Sequence, residues 1–154
     1  MLDKLKNYAK YYENEVRDIS NKLRDEMMPE LSRELFDEYE ITGNRLRYEE
    51  GYFKRREFLS TFGLASVIWH EKEDIQKLEE VIREICAEEC WALPAHVRRK
   101  ENPNWRGVID LFASETGQTL AHITTLLKDE LSEDVITLAQ NEVKARILKP
   151  FIES

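Results

Sequence analysis

The residues best suited to bind or react are gathered in one connection, Cys90-Trp-Ala-Leu-Pro-Ala-His-Val-Arg-Arg-Lys, which continues to Trp105-Arg106. His96 places an imidazole beside a run of cations, where positive charge favours the neutral ring, able to hydrogen-bond a sugar hydroxyl. Following Pro94-Ala95, the same ring can instead fasten the loop to a helix end, and the residues alone leave both roles open. Arg98, Arg99 and Arg106 can each grip a carboxylate or sulfate through paired N–H donors. Trp91 and Trp105 bracket the segment, offering either faces on which sugar rings stack or indoles that plug the gap between helix pairs. The candidate substrate-binding set is therefore His96, Arg98, Arg99, Arg106, Trp91 and Trp105.

Other chemistry finds less material. His122, among Leu120, Ile123 and Leu126, is expected to be structural and partly buried, and His70 to lie on the surface at a helix end. Cys86 and Cys90 stand one helical turn apart, which suits small buried residues in a reducing compartment better than a disulfide framework. With His96 they form a C-x3-C-x5-H series that lacks a fourth zinc ligand, so no metal is assigned. No Glu-x-x-His pair, His-Glu-x-x-His, phosphate-binding glycine loop or Ser-His-Asp set occurs, and no cofactor is called for.

These residues need a scaffold, and composition describes one. The chain has 154 residues, 42% hydrophobic and 35% charged, with only five Gly and four Pro, which predicts a single all-α domain over 1–154. No apolar run approaches the roughly 18 residues of a membrane span. Residues 1–20 mix Lys, Asp, Glu and Tyr where a signal peptide needs an apolar stretch, so a cytoplasmic location is expected. A net charge of −8 argues against nucleic acid or an acidic membrane surface as partner. Charge is uneven, however: four cations against Glu101 leave His96–Gly107 at +3 and the remainder at −11. That loop is either simply solvated or a groove for an anion.

Periodicity predicts about six helices. Leu5, Tyr8, Tyr12, Val16, Ile19 and Leu23 place a stripe on a first helix from about Asp3 to Met27. A second carries Leu31, Leu35, Phe36 and Tyr39 and ends at Thr42-Gly43. The third, weakened at Gly51, runs through Phe53, Leu59, Phe62, Leu64, Val67, Ile68 and Trp69, and its second half is apolar nearly all round, as in an inner layer. A fourth spans about Glu73 to Glu89. Trp91–Arg106 is then the only long connection, and loops above about 12 residues are more often functional than spacers. A fifth helix is expected from Val108 to Lys128, with Leu120, Ile123, Leu126 and Leu127 inward and Gly117 admitting a neighbour. The sixth follows Ser132, a good N-cap, and stops at Pro150.

Antiparallel hairpins of this kind fit a closed bundle or part of a toroid. The order Trp91-x-x-Pro-x-His96, then Ile109-Asp-Leu-Phe-Ala-Ser-Glu-Thr-Gly117, then Arg146-Ile-Leu-Lys-Pro-Phe151 resembles the N-terminal helical part of heparinase II/III-like polysaccharide lyases, the match covering about residues 45–154. The resemblance implies part of an (α/α) toroid, an acidic polysaccharide or oligosaccharide as ligand, and the remaining C-terminal part of the same enzyme as partner. It also implies self-association through an exposed toroid flank.

β-Elimination at a uronic acid needs a base, a group neutralising the carboxylate, and an acid for the leaving oxygen. In the resembled family the catalytic Asn, Tyr and His lie beyond the position matching Pro150-Phe151, so no catalytic residue is assigned and the chain alone is expected to be inactive. The alternative is a noncatalytic all-helical protein-interaction domain with an acidic face.

Overall fold

The computed structural model describes the backbone of residues 2–153 and the side chains of residues 10–153. The molecule is all-helical, and no strand occurs among the described residues. Helices α1 (Leu2–Arg24), α2 (Arg33–Thr42), α3 (Leu46–Trp69) and α4 (Lys72–Ala87) precede the long connection, which contains a one-turn α5 (Pro94–Val97) and a 3-10 turn at Trp105–Gly107. Then come α6 (Leu111–Leu126), α7 (Glu133–Val143), five residues of π-helix (Lys144–Leu148) and α8 (Lys149–Glu153). Among the described residues no helix is long and apolar enough to cross a membrane.

Several boundaries follow from local chemistry. Ser32 accepts a hydrogen bond from Leu35 N at 3.3 Å to open α2, and Gly43 closes it at φ 77°, its N–H donating to Tyr39 O. The fifth predicted helix starts three residues later than expected, at Leu111, because Asp110 adopts extended backbone and caps it through Ala113 N at 2.7 Å. Ser132 does precede α7, yet its hydroxyl makes no cap bond. Its own N–H donates to Glu79 Oε1 at 2.6 Å, tying that turn to α4.

Helix α3 is the centre of the assembly. It packs against α1, α2, α4 and α6, which explains why its second half is apolar on nearly every face. It passes through Gly51 unbroken; a Cβ there would come within 3.1 Å of Leu31 Cδ2, so the glycine makes room for the chain leading into α2. The hairpins α3/α4 and α6/α7 complete a ring of contacts, α3 to α4, α4 to α7, α7 to α6 and α6 to α3. Phe58, Phe62, Leu78, Ile82, Ile85, Leu120, Val135 and Ala139 form the shared core. Each large apolar side chain buried there contributes about 1.5–3 kcal/mol.

Where α6 meets its neighbours the backbones come close. A Cβ on Gly63 would meet Ile123 Cδ1 at 2.6 Å, and one on Gly117 would meet Ile147 Cγ1 at 2.8 Å. The approach expected at Gly117 is thus present.

Other expectations need correcting. His122 is exposed rather than partly buried, because the buried positions 120, 123, 124 and 127 define the inner arc of α6 and 122 falls outside it. Leu126 is 65% exposed for the same reason. Pro150 does not stop the last helix, which continues to Glu153. The π winding ahead of it, with Lys149 N–H donating to Lys144 O, relieves the clash that an i−4 carbonyl makes with a proline ring.

On α1, the apolar stripe engages only near its C-terminal end: Tyr12 is exposed, Val16 and Ile19 are half-buried and Leu23 is buried, while the side chains of Leu5 and Tyr8 lie outside the described residues. Arg17 lies 3.7 Å over the Trp69 ring, and Arg24 reaches the fully buried Asp74 at 2.7 Å.

Candidate functional site

The connection between α4 and α6 is anchored from below by Trp91. The indole is 1% exposed, its Nε1 donates to Ile85 O at 3.0 Å, and its own carbonyl accepts from the Tyr52 hydroxyl at 2.7 Å. Arg146, from the π segment, covers the ring at 4.9 Å and donates to Cys86 O at 3.0 Å.

Asp110 holds the next part of the loop. Its Oδ1 caps α6, while its Oδ2 accepts from Leu93 N at 3.0 Å and lies 2.7 Å from His96 Nδ1. A carboxylate only accepts, so the imidazole donates from Nδ1 and, when neutral, carries its lone pair on Nε2. The ring lies nearly parallel to Phe112, 7° between planes and 6.4 Å between centroids. The histidine therefore fastens the loop to a helix end while remaining 42% exposed.

The basic run is a clasp rather than an open groove. Arg99 pairs with Asp37 at 2.7 Å, and Lys100 contacts Glu40 through its N–H at 3.1 Å and its Nζ at 3.6 Å, so the loop is held against acidic α2. Arg106 lies 4.3 Å over Trp105 and 3.6 Å from Glu89, which also pairs with Arg33. Arg98 is the most open of the group, 79% exposed, with only Glu101 at 3.8 Å.

The two tryptophans are corrected as sugar platforms. Trp105 is 6% exposed, ringed by Arg33, Arg99 and Arg106 and packed on Phe36, and Trp91 is fully enclosed. Neither indole has a face free for a ring. Of the six candidates, His96, Arg98 and Arg106 face solvent, Arg99 is committed to α2, and Trp91 and Trp105 belong to the core.

A buried charged cluster went unread in the sequence. Glu88 accepts from Arg55 Nε and from both terminal nitrogens of Arg56, all at 2.7 Å. Arg55 also donates to Pro29 O and Glu84 O, Arg56 Nε donates to Thr116 Oγ1 at 3.0 Å, and its guanidinium stacks 3.9 Å over Tyr52. Two adjacent arginines in a helix apolar on most sides were the available signal. Burial pushes the Tyr52 and Tyr48 hydroxyls well above their ordinary value.

The thiols do not resemble reactive or metal-bound cysteines. Burial pushes Cys86 up to about 12 and Cys90 up to about 11, and Cys90 Sγ lies 3.7 Å from Trp105 O. Among the described residues no group of three or more His, Cys, Asp or Glu is placed to hold a metal ion.

Beside His96, across the Phe112 ring, a cleft of 310 Å³ opens between α3 and α6. No family model matches the chain, and no curated protein matches it.

Proposed function

We propose that the chain is the N-terminal helical portion of a heparinase II/III-like lyase that cleaves acidic polysaccharide by β-elimination, supplying substrate contacts but none of the catalytic Asn, Tyr or His. One observation supports this reading. The histidine of the Trp-x-x-Pro-x-His segment and the aspartate of the Asp-Leu segment are hydrogen-bonded at 2.7 Å, so the motifs whose order carries the resemblance form one unit. His96 is 42% exposed and Arg98 79%, so the same loop offers an imidazole for a hydroxyl and a guanidinium for a carboxylate.

The test is calorimetric titration of the chain with a saturated oligouronate. Arg98→Ala and His96→Gln are each expected to weaken binding about tenfold. Unchanged affinity in both would sink the reading. A rise in ultraviolet absorbance from unsaturated sugar would sink the claim that the catalytic groups lie elsewhere.

A second reading, a noncatalytic protein-interaction domain, is favoured by an apolar groove of 620 Å³ along α6, α7 and α8. Leu148 and Ile152 line it and are 51% and 79% exposed. Monomeric sedimentation at high concentration together with tight oligouronate binding would count against it.

A further inference from the structure

The cleft between α3 and α6 adjoins the loop through Phe112, which stacks on His96, and its lining has a definite chemistry. Phe53 and Phe112 form one wall, edge to face at 5.2 Å, with Phe53 43% exposed although every other aromatic packed on it is buried or half-buried. Tyr52 and Leu59, both buried, close the floor. Glu115, Gln118 and Thr119 project from one face of α6, at the spacing of one helical turn, toward Phe53, Arg56 and Ser60 on one face of α3.

Aromatic faces beside carboxylate, amide and hydroxyl groups suit a ring that is apolar on its C–H face and hydroxylated at its edge. The volume, 310 Å³, lies at the small end of the about 300–1,000 Å³ found for ligand sites and holds one such ring.

Charge selects which ring. Arg56 is the only cation lining the cleft, and both its terminal nitrogens are taken by Glu88, with Nε on Thr116. Glu115 is exposed, and among the described residues no cation pairs with it. A carboxylated or sulfated ring would find no uncommitted guanidinium here and would face the Glu115 carboxylate, whereas Glu115 can accept two hydrogen bonds from adjacent hydroxyls of a neutral one.

We infer that this cleft is a binding subsite for an uncharged pyranose unit, stacked on Phe53 and Phe112 and gripped at its hydroxyl edge by Glu115 and Gln118. This rests on the polysaccharide reading above and adds to it: an uncharged sugar sits across Phe112 from His96, and the charged units of the chain lie on the Arg98 side.

The experiment is an NMR titration of the folded chain with three probes: a neutral hexose oligosaccharide, an oligouronate, and a mixed oligosaccharide alternating hexose and uronate. The mixed probe is expected to bind tightest and to shift the ring resonances of Phe53 and Phe112. Phe53→Ala, at an exposed position, should weaken mixed and neutral probes at least about tenfold and leave the pure oligouronate unaffected. Glu115→Gln should raise oligouronate affinity at the cleft.

Unchanged affinity of the mixed probe in Phe53→Ala and Gln118→Ala, with Arg98→Ala still weakening it, overturns the subsite and spares the polysaccharide reading. Cleft shifts with the neutral probe alone, and none with either uronate probe, keep the subsite and overturn that reading. Absence of binding by all three overturns both.

Discussion

Glu88 and Arg56 meet through two hydrogen bonds of 2.7 Å, one to each carboxylate oxygen, with Arg55 adding a third at the same distance. The Glu88 side chain is 3% exposed and that of Arg55 5%, so one anion holds two guanidiniums between α3 and the end of α4. Glu88→Gln keeps the shape and removes the charge. It is expected to destabilise the fold by about 3–5 kcal/mol in urea denaturation, because two desolvated cations lose their counterion. A loss below about 1 kcal/mol would mean that water reaches both arginines.

Close approach at α6 makes a second prediction. Gly117→Ala gains about 1 kcal/mol of helix propensity but drives a methyl to 2.8 Å from Ile147 Cγ1, and overpacking costs about 1–3 kcal/mol. A net loss of about 1 kcal/mol is expected. Ile147→Ala, which removes Cγ1, should cost less in the alanine background than alone; additive effects in the double-mutant cycle would place the methyl in open space.

The buried thiols predict an alkaline weakness. Cys86 and Cys90 are raised by burial from 9.0 to about 12 and about 11, so their contribution is complete below the unfolded value and is lost as pH rises through the folded ones. The urea midpoint should fall between about pH 8 and pH 10.5, and fall less in Cys86→Ala/Cys90→Ala. Equal falls in both would assign the effect to the raised tyrosines, Tyr48 and Tyr52.

The loop clasp separates two neighbouring arginines. Arg99→Ala breaks the pair with Asp37 and a contact on Trp105, and should cost about 1 kcal/mol and speed amide exchange across residues 98–104. Arg98→Ala, at an exposed position, should leave both unchanged. Identical exchange in the two variants would show that the clasp does not hold the loop.

Helix existence was legible because apolar spacing and helix ends agree: Gly43 and the all-round apolar half of α3 each state their role locally, whereas Ser132, placed as an N-cap, makes no cap bond. What could not be read was pairing across distance. Arg99 looked available for a ligand because Asp37, its partner, lies on another helix, and Trp105 stayed open between platform and plug because the residues covering it come from α2 and from the loop itself. His96 was ambiguous for the same reason, its partner Asp110 being 14 residues away. Pro150 misled because a proline normally ends an α-helix, and nothing local announces a change of winding before it.

That change of winding sets the phase of everything after it. Closing at i→i+5, Lys144–Leu148 take one residue more per turn than α-helix, so removing a single residue there would rotate α8 by about 100° about its axis. Ile152 would leave the groove it lines, and Pro150 would leave Gly107, against which it now sits. The number of residues between Val143 and Lys149, more than their identity, decides which side of α8 the groove sees and whether the far end of the chain still props the loop.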